Sequence, residues 1–135
     1  MLTIEAVKEI AETARRAMEP YFLEHGVAGY CNTASFALKE ALSKADDEEW
    51  TVVQGGVVTD AAPEGLSHCW LVREHDGLLV DITGDQFGFD PVMVEDEFDM
   101  PDFVPMETAF AWDQHEVETM VNMISMELGM PGITP

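Results

Sequence analysis

The chain has 135 residues, of which 27 are acidic and 6 basic, for a formal net charge of −21. That length suits a single domain, residues 1–135, with one core, and a hydrophobic fraction of 47% belongs to a globular chain rather than a disordered one. So acidic a surface repels nucleic acid and anionic membranes, which argues against both as partners, and no apolar run approaches the roughly 20 residues of a membrane-spanning helix.

The acidic residues are spread along the whole chain. Their mutual repulsion destabilises a compact state in dilute buffer, and salt relieves it, since the Debye length falls to about 3 Å near 1 M. The expectation is a halophilic protein. The first sixteen residues lack a basic segment followed by an apolar block, so no signal peptide is expected and the chain reads as cytoplasmic. Two cysteines, Cys31 and Cys69, exclude a disulfide framework and fit free thiols in a reducing compartment.

Residues 3–18 read as an amphipathic helix. Thr3 is the N-cap, Ile4, Val7, Ile10, Ala11, Ala14 and Met18 share one face, and Pro20 sets the limit. A loop with two glycines leads to Cys31. Residues 31–45 form a second helix, with Ala34, Ala37, Leu38, Ala41 and Leu42 as a narrow stripe suited to lying close against a sheet. Asp46 to Glu49 read as a solvated acidic turn. Residues 50–59 are β-branched and read as a strand, with Gly55-Gly56 marking a bulge or a close approach. Ala61 to Gly65, containing Pro63, read as a turn.

Residues 68–83 read as a β-hairpin around Glu74-His75-Asp76-Gly77. Pairing residue 72 with 77 sets 71 opposite 78, 69 opposite 80, and His68 opposite Asp81. Cys69, Leu71, Leu78, Val80 and Ile82 then form one face, expected to be structural backing. His68, Trp70, Val72, Leu79, Asp81 and Thr83 form the other, expected to face helix 31–45. Residues 84–90 read as an aromatic loop, 92–94 as a short segment, and 95–105 as irregular chain wrapping the surface. A last helix begins near a capping box at Asp113 to Glu116. Its apolar face is Val117, Met120, Val121, Ile124 and Leu128, and Gly129 and Pro131 stop it. Helices and antiparallel strands are segregated, an α+β layout with a small antiparallel sheet packed on helix 31–45 and helices flanking at both ends.

The chemistry follows from Cys31. A thiol at a helix N-terminus beside an imidazolium has its pKa lowered from about 8.5 to as little as ~3.5. Backbone N–H groups there also face a developing oxyanion. His68 suits the base, and Asp81 the group that orients it. Trp70, beside His68, is a candidate substrate contact. A zinc site from Cys31, Cys69, His68 and Asp81 is disfavoured, because no C-x-x-C or H-x-x-x-H spacing is present, and no metal or other cofactor is expected.

Gly29-Tyr30-Cys31 with Ala34-Ser35 and Leu38, then Ser67-His68-Cys69-Trp70, then Asp81-Ile82-Thr83 and Asp85-Gln86-Phe87, resemble the papain-like, transglutaminase-like cysteine enzymes over residues 26–90. The likeness is greatest to small microbial and phage members. The resemblance implies a Cys-bearing helix on an antiparallel sheet, with Cys31 as nucleophile, His68 as base and Asp81 as orienter. The loop before Cys31 lacks the Gln that supplies an oxyanion donor in the papain branch, and Gln86 and Gln54 are the candidates to replace it. The implied activity is that of a cysteine hydrolase or acyltransferase, a peptidase or amidase first. Its substrate would be a peptide, a protein side chain or a small amide or thioester. Glutamine deamidation or transglutamination is the alternative, as is a non-catalytic binding protein on the same fold.

Overall fold

Three helices cover one face of a five-stranded antiparallel sheet in the computed structural model, which describes residues 1–27, 30–106 and 114–129. Helix α1 spans Ile4–His25 and is capped by the Thr3 side chain, which accepts from the Ala6 N–H at 3.1 Å. It runs past the expected stop at residue 18 and contains Pro20. A proline inside a helix costs about 3 kcal/mol. The buried stripe Val7, Ala11, Ala14, Met18 continues through Phe22, whose burial offsets most of that cost.

Helix α2 spans Cys31–Ala45, as expected, with Ala34, Ala37, Leu38, Ala41 and Leu42 in the core. The acidic turn after it is not simply solvated. Asp46 is buried and accepts from the Leu2 N–H, the Trp50 indole and Arg73, each at 3.1 Å.

Strands β1 (Trp50–Thr59) and β2 (Ala62–Arg73) form a long hairpin whose turn is only Asp60-Ala61. The expected turn at 61–65 is mostly strand. Pro63 is tolerated because the ladder shifts register there, between Val57 and Thr59, so its missing N–H breaks no rung. Gly55 is a point of close approach rather than a bulge. A Cβ on it would lie 2.9 Å from the Trp70 ring and 2.9 Å from the Pro105 backbone.

Strand β3 (Leu78–Asp81) pairs with β2 and with β4 (Met93–Asp96), and β5 (Phe103–Pro105) pairs with β1, giving the order β4-β3-β2-β1-β5. The region expected to be irregular thus supplies the β5 edge strand and half of β4. Six residues, 97–102, join opposite edges of the sheet. Four inter-strand spacings make that crossing roughly 19 Å, so the connection has little slack and lies across the outer face. Helix α3 (Gln114–Leu128) packs on α1 and α2 through Val117, Met120, Val121 and Ile124, and Gly129 follows it at φ 68°. Asp113 and Pro131 lie outside the described residues. Among the described residues no helix is long and apolar enough to cross a membrane.

Two expectations about the second hairpin are corrected. The pairing is Leu71 with Val80, Val72 with Leu79 and Arg73 with Leu78, two residues displaced from the expected register. Arg73 is drawn into the strand because its guanidinium is held in the interior, while residues 74–77 form the turn. Because the slip is an even number, the face partners are unchanged. The faces themselves are exchanged. Leu71, Leu78, Val80 and Ile82 join the core beneath the helices, whereas Trp70, Val72 and Leu79 pack with Val57, Met93 and Phe103 on the outer side. The crossing segment and the aromatic loop, through Phe87, Phe89 and Met100, give that second face its cover.

Candidate active site

Three elements converge at the end of the β2–β3 ladder. The last β2–β3 rung is Leu71 with Val80, and β3 ends at Asp81, so β2 from Cys69 backwards has an open edge on that side. The start of α2 sits against this edge. Cys31 is its first residue, half-buried, and Tyr30 gives the helix no side-chain cap. Cys69 and its neighbour His68 lie near enough to the Cys31 sulfur to act on its ionisation. An edge position lets Cys31 reach two neighbours whose side chains point to opposite faces.

His68 is 0% exposed and Asp81 2%. The His68 Nε2 and Asp81 Oδ2 lie 2.6 Å apart. The displaced register makes this a diagonal pair rather than a directly opposed one, within reach of these long side chains. The other carboxylate oxygen of Asp81 accepts from the Thr83 N–H at 2.9 Å and its hydroxyl at 3.3 Å. Gly84 leaves room for the oxygen that His68 holds: a Cβ there would lie 3.2 Å from Asp81 Oδ2. With Nε2 committed to Asp81, Nδ1 is the nitrogen available to Cys31. Rings of Phe87, Phe103 and Trp70 surround the imidazole at 4.8, 5.9 and 6.0 Å.

The electrostatics follow from these contacts. Cys31 is lowered from 9.0 to about 5, first by the Cys69 thiol against the opposing effect of burial, then by His68 and the Cys69 N–H. Burial pushes His68 down, but the hydrogen bonds to Asp81 and Cys31 outweigh it and raise the imidazole from 6.5 to about 9. Cys69 is pushed upward by Cys31 and by burial, and so stays a thiol. Between roughly pH 5 and 9 the arrangement favours a thiolate beside an imidazolium.

Of the other expected residues, Gln86 sits on a single 3₁₀ turn, Gly84–Phe87. Its side-chain amide lies 3.3 Å from His68 Nδ1 and donates to the Thr83 carbonyl at 3.1 Å. Gln54 pairs with Cys69 across β1 and β2, which places its side chain on the helix side of the sheet, beside the second cysteine. Trp70 is 2% exposed and forms a wall behind His68. Its ring also lines a separate apolar cavity of about 310 Å³ on the outer face, with Leu79, Phe98 and Phe103.

Sequence reasoning missed three participants. Cys69 was assigned away from the site by strand alternation, yet its sulfur and that of Cys31 lie 2.9 and 3.3 Å from the same Asn32 Oδ1. Arg15, buried on α1, donates to the Ile82 carbonyl at 2.7 Å and grips Asp85 with two bonds of 2.9 and 2.8 Å, fixing the segment that carries Asp81 and Gln86. A charged residue inside the apolar stripe of α1, four residues before Glu19, was its only signal. Tyr30 meets Tyr21 edge-on at 5.1 Å, and His25 packs on Tyr21 at 4.5 Å, giving an aromatic cluster next to Cys31. Among the described residues no three His, Cys, Asp or Glu side chains converge as a metal site. No family model, curated protein or solved structure matches this chain.

Proposed function

We propose that the protein is a cysteine-dependent hydrolase or acyltransferase, a peptidase or amidase first, built on a papain-like or transglutaminase-like core. The observation that carries the reading is the convergence of Cys31, His68 and Asp81 from a helix start and two strands, with His68 Nε2 held by Asp81 and the other ring nitrogen left for Cys31. The Cys31 thiolate attacks the carbonyl carbon of an amide or thioester. The oxyanion that forms is met by the Cys31 N–H at the uncapped start of α2. His68, protonated on Nδ1, gives that proton to the leaving amine or thiol, and a thioester on Cys31 remains. The neutral imidazole then takes a proton from water, or from an acceptor amine, as it attacks the thioester. Asp81 holds the ring and stabilises its charged form throughout.

Gln86 acts on the base more directly than on the oxyanion. Its amide N–H suits the unprotonated Nδ1, the state reached after the proton has been delivered. The burial of His68 and Asp81 beneath the aromatic rings shields their hydrogen bond from water, and Cys31, half-buried, is the more accessible reacting group.

Turnover of an activated ester such as p-nitrophenyl acetate, with and without hydroxylamine as acceptor, tests this. Wild type should release nitrophenolate repeatedly, and Cys31→Ser and His68→Ala should lose the release. Equal rates in all three would reject the reading. Acceleration by hydroxylamine would mark transfer over hydrolysis.

A further inference from the structure

Cys69 takes part in no step of the acyl-transfer scheme beyond helping to lower the pKa of the Cys31 thiol, and its side chain lies against the nucleophile. Both sulfurs lie beside the single side-chain oxygen of Asn32, at 3.3 Å from Cys31 and 2.9 Å from Cys69. Both cysteines are free, Cys31 half-buried and Cys69 fully buried. Two sulfurs placed beside one small oxygen are near neighbours, which is the proximity a disulfide requires. Each lies on a regular element, α2 or β2, so their meeting is set by the packing of the helix on the sheet edge.

We infer that Cys31 and Cys69 form a reversible disulfide that switches the nucleophile off under peroxide. The inference rests on the reading of Cys31 as an activated thiolate.

Exposure decides the order of events. Hydrogen peroxide reaches Cys31 and not Cys69. The Cys31 thiolate attacks one peroxide oxygen. An S–O bond forms, the O–O bond breaks, and the departing hydroxide takes a proton from the His68 imidazolium and leaves as water. Cys31 is now a sulfenic acid and the peroxide has been reduced. The Cys69 sulfur then attacks the Cys31 sulfur. An S–S bond forms, the S–O bond breaks, and the hydroxyl departs as water with the proton from Cys69. One peroxide is consumed and two waters are produced. A low-molecular-weight dithiol returns both cysteines to thiols by exchange. Cys69 also protects the site: without it, the sulfenic acid stays open to further oxidation, which thiols do not reverse.

The preference for Cys31 agrees with its lowered pKa and the raised pKa of Cys69. Such a transient bond is compatible with a reducing compartment, where disulfides are chiefly catalytic or sensing.

The test treats the full chain with hydrogen peroxide, alkylates the remaining thiols with N-ethylmaleimide in denaturant, and reads intact mass and peptides. Wild type should lose the mass of two hydrogens, take up no maleimide and yield a peptide linking Cys31 to Cys69. Dithiothreitol should restore both thiols and the labelling of Cys31. Cys69→Ser, and separately Cys69→Ala, should instead gain oxygen on Cys31. Oxygen on Cys31 of wild type, with Cys69 still open to maleimide, would overturn the inference. Iodoacetamide labelling of the reduced protein at pH 6 separates the two readings. Fast labelling with no disulfide overturns the switch and leaves the nucleophile standing, whereas slow labelling with no disulfide overturns both.

Discussion

Alkylation of Cys31 by iodoacetamide across pH tests directly for a thiolate beside an imidazolium. An ordinary thiol at 9.0 is ionised to ~0.1% at pH 6, whereas one held at about 5 is ~90% ionised, a gain of roughly 900-fold in thiolate. The more acidic thiolate is intrinsically less reactive. A Brønsted slope of 0.4–0.5 over that interval removes ~40- to 100-fold, so the net advantage at pH 6 is ~10- to 25-fold. The rate should therefore climb through an inflection near 5 and run nearly level to pH 8, while a small-molecule thiol climbs about tenfold per pH unit and overtakes it before pH 9. The assay is the second-order rate from intact mass, with the alkylated peptide identified. Removing the imidazolium in His68→Ala should move the inflection upward. A wild-type profile that keeps rising to pH 9, or one that His68→Ala leaves in place, would refute the reasoning.

Arg15→Met should unfold at lower urea, by about 2 kcal/mol or more, because Asp85 and the Ile82 carbonyl lose their donor. Its alkylation advantage at pH 6 should also shrink as the Asp81–Gln86 segment loosens, and an unchanged labelling rate would deny Arg15 that role. Arg73→Met leaves the Asp46 carboxylate buried without its cation and should cost about 3–5 kcal/mol in urea denaturation at pH 7. Burial raises Asp46, but the Leu2 N–H and Arg73 leave it below 3.8, and the Arg73 hydrogen bond lowers Asp76 likewise. These depressed carboxylates contribute stability that is present above 3.8 and lost as pH falls through their folded values. The gap between wild type and Arg73→Met should close in acid, and a gap independent of pH would contradict the pairing. With a net charge of −21, Tm should rise with KCl concentration, and a flat curve would remove the high-salt reading.

Much of the fold was legible because its signals are local. The Ala-rich stripe of α2, the β-branched run of β1 and the alternation in 68–83 each carry their own period, and each element forms where that period predicts. What failed depended on distant chain. Pro20 stays helical because Phe22, two residues on, has a core to enter. Both faces of the β2–β3 hairpin are apolar, so alternation sorted their residues without saying which met the helices. That choice is made by Phe87, Phe89 and Phe103, which cover the outer face from later in the chain. Asp46 looked like one more acidic surface residue until Arg73 is placed beside it.

The candidate site divides in the same way. His68 and Asp81 were readable as neighbours because an error of two residues in register preserves the face. Cys69 was not readable, because alternation points it away from His68. Only the early end of β3 opens the strand edge beside which Cys31 and Cys69 lie against the same Asn32 oxygen. Gln86 was legible as a nearby amide, but its contact with Nδ1 depends on the 3₁₀ turn at Gly84–Phe87 and on Arg15 fixing that turn.

The central claim is that Cys31 carries the acyl group during turnover. Rapid acid quenching of wild type with an activated ester, followed by intact mass and peptide mapping, measures this directly. The account predicts one acyl group per chain, joined as a thioester to the peptide containing Cys31, formed within the first turnover and absent from Cys31→Ser. An acyl group found on another residue, or turnover with no adduct on Cys31 at any quench time, would contradict it.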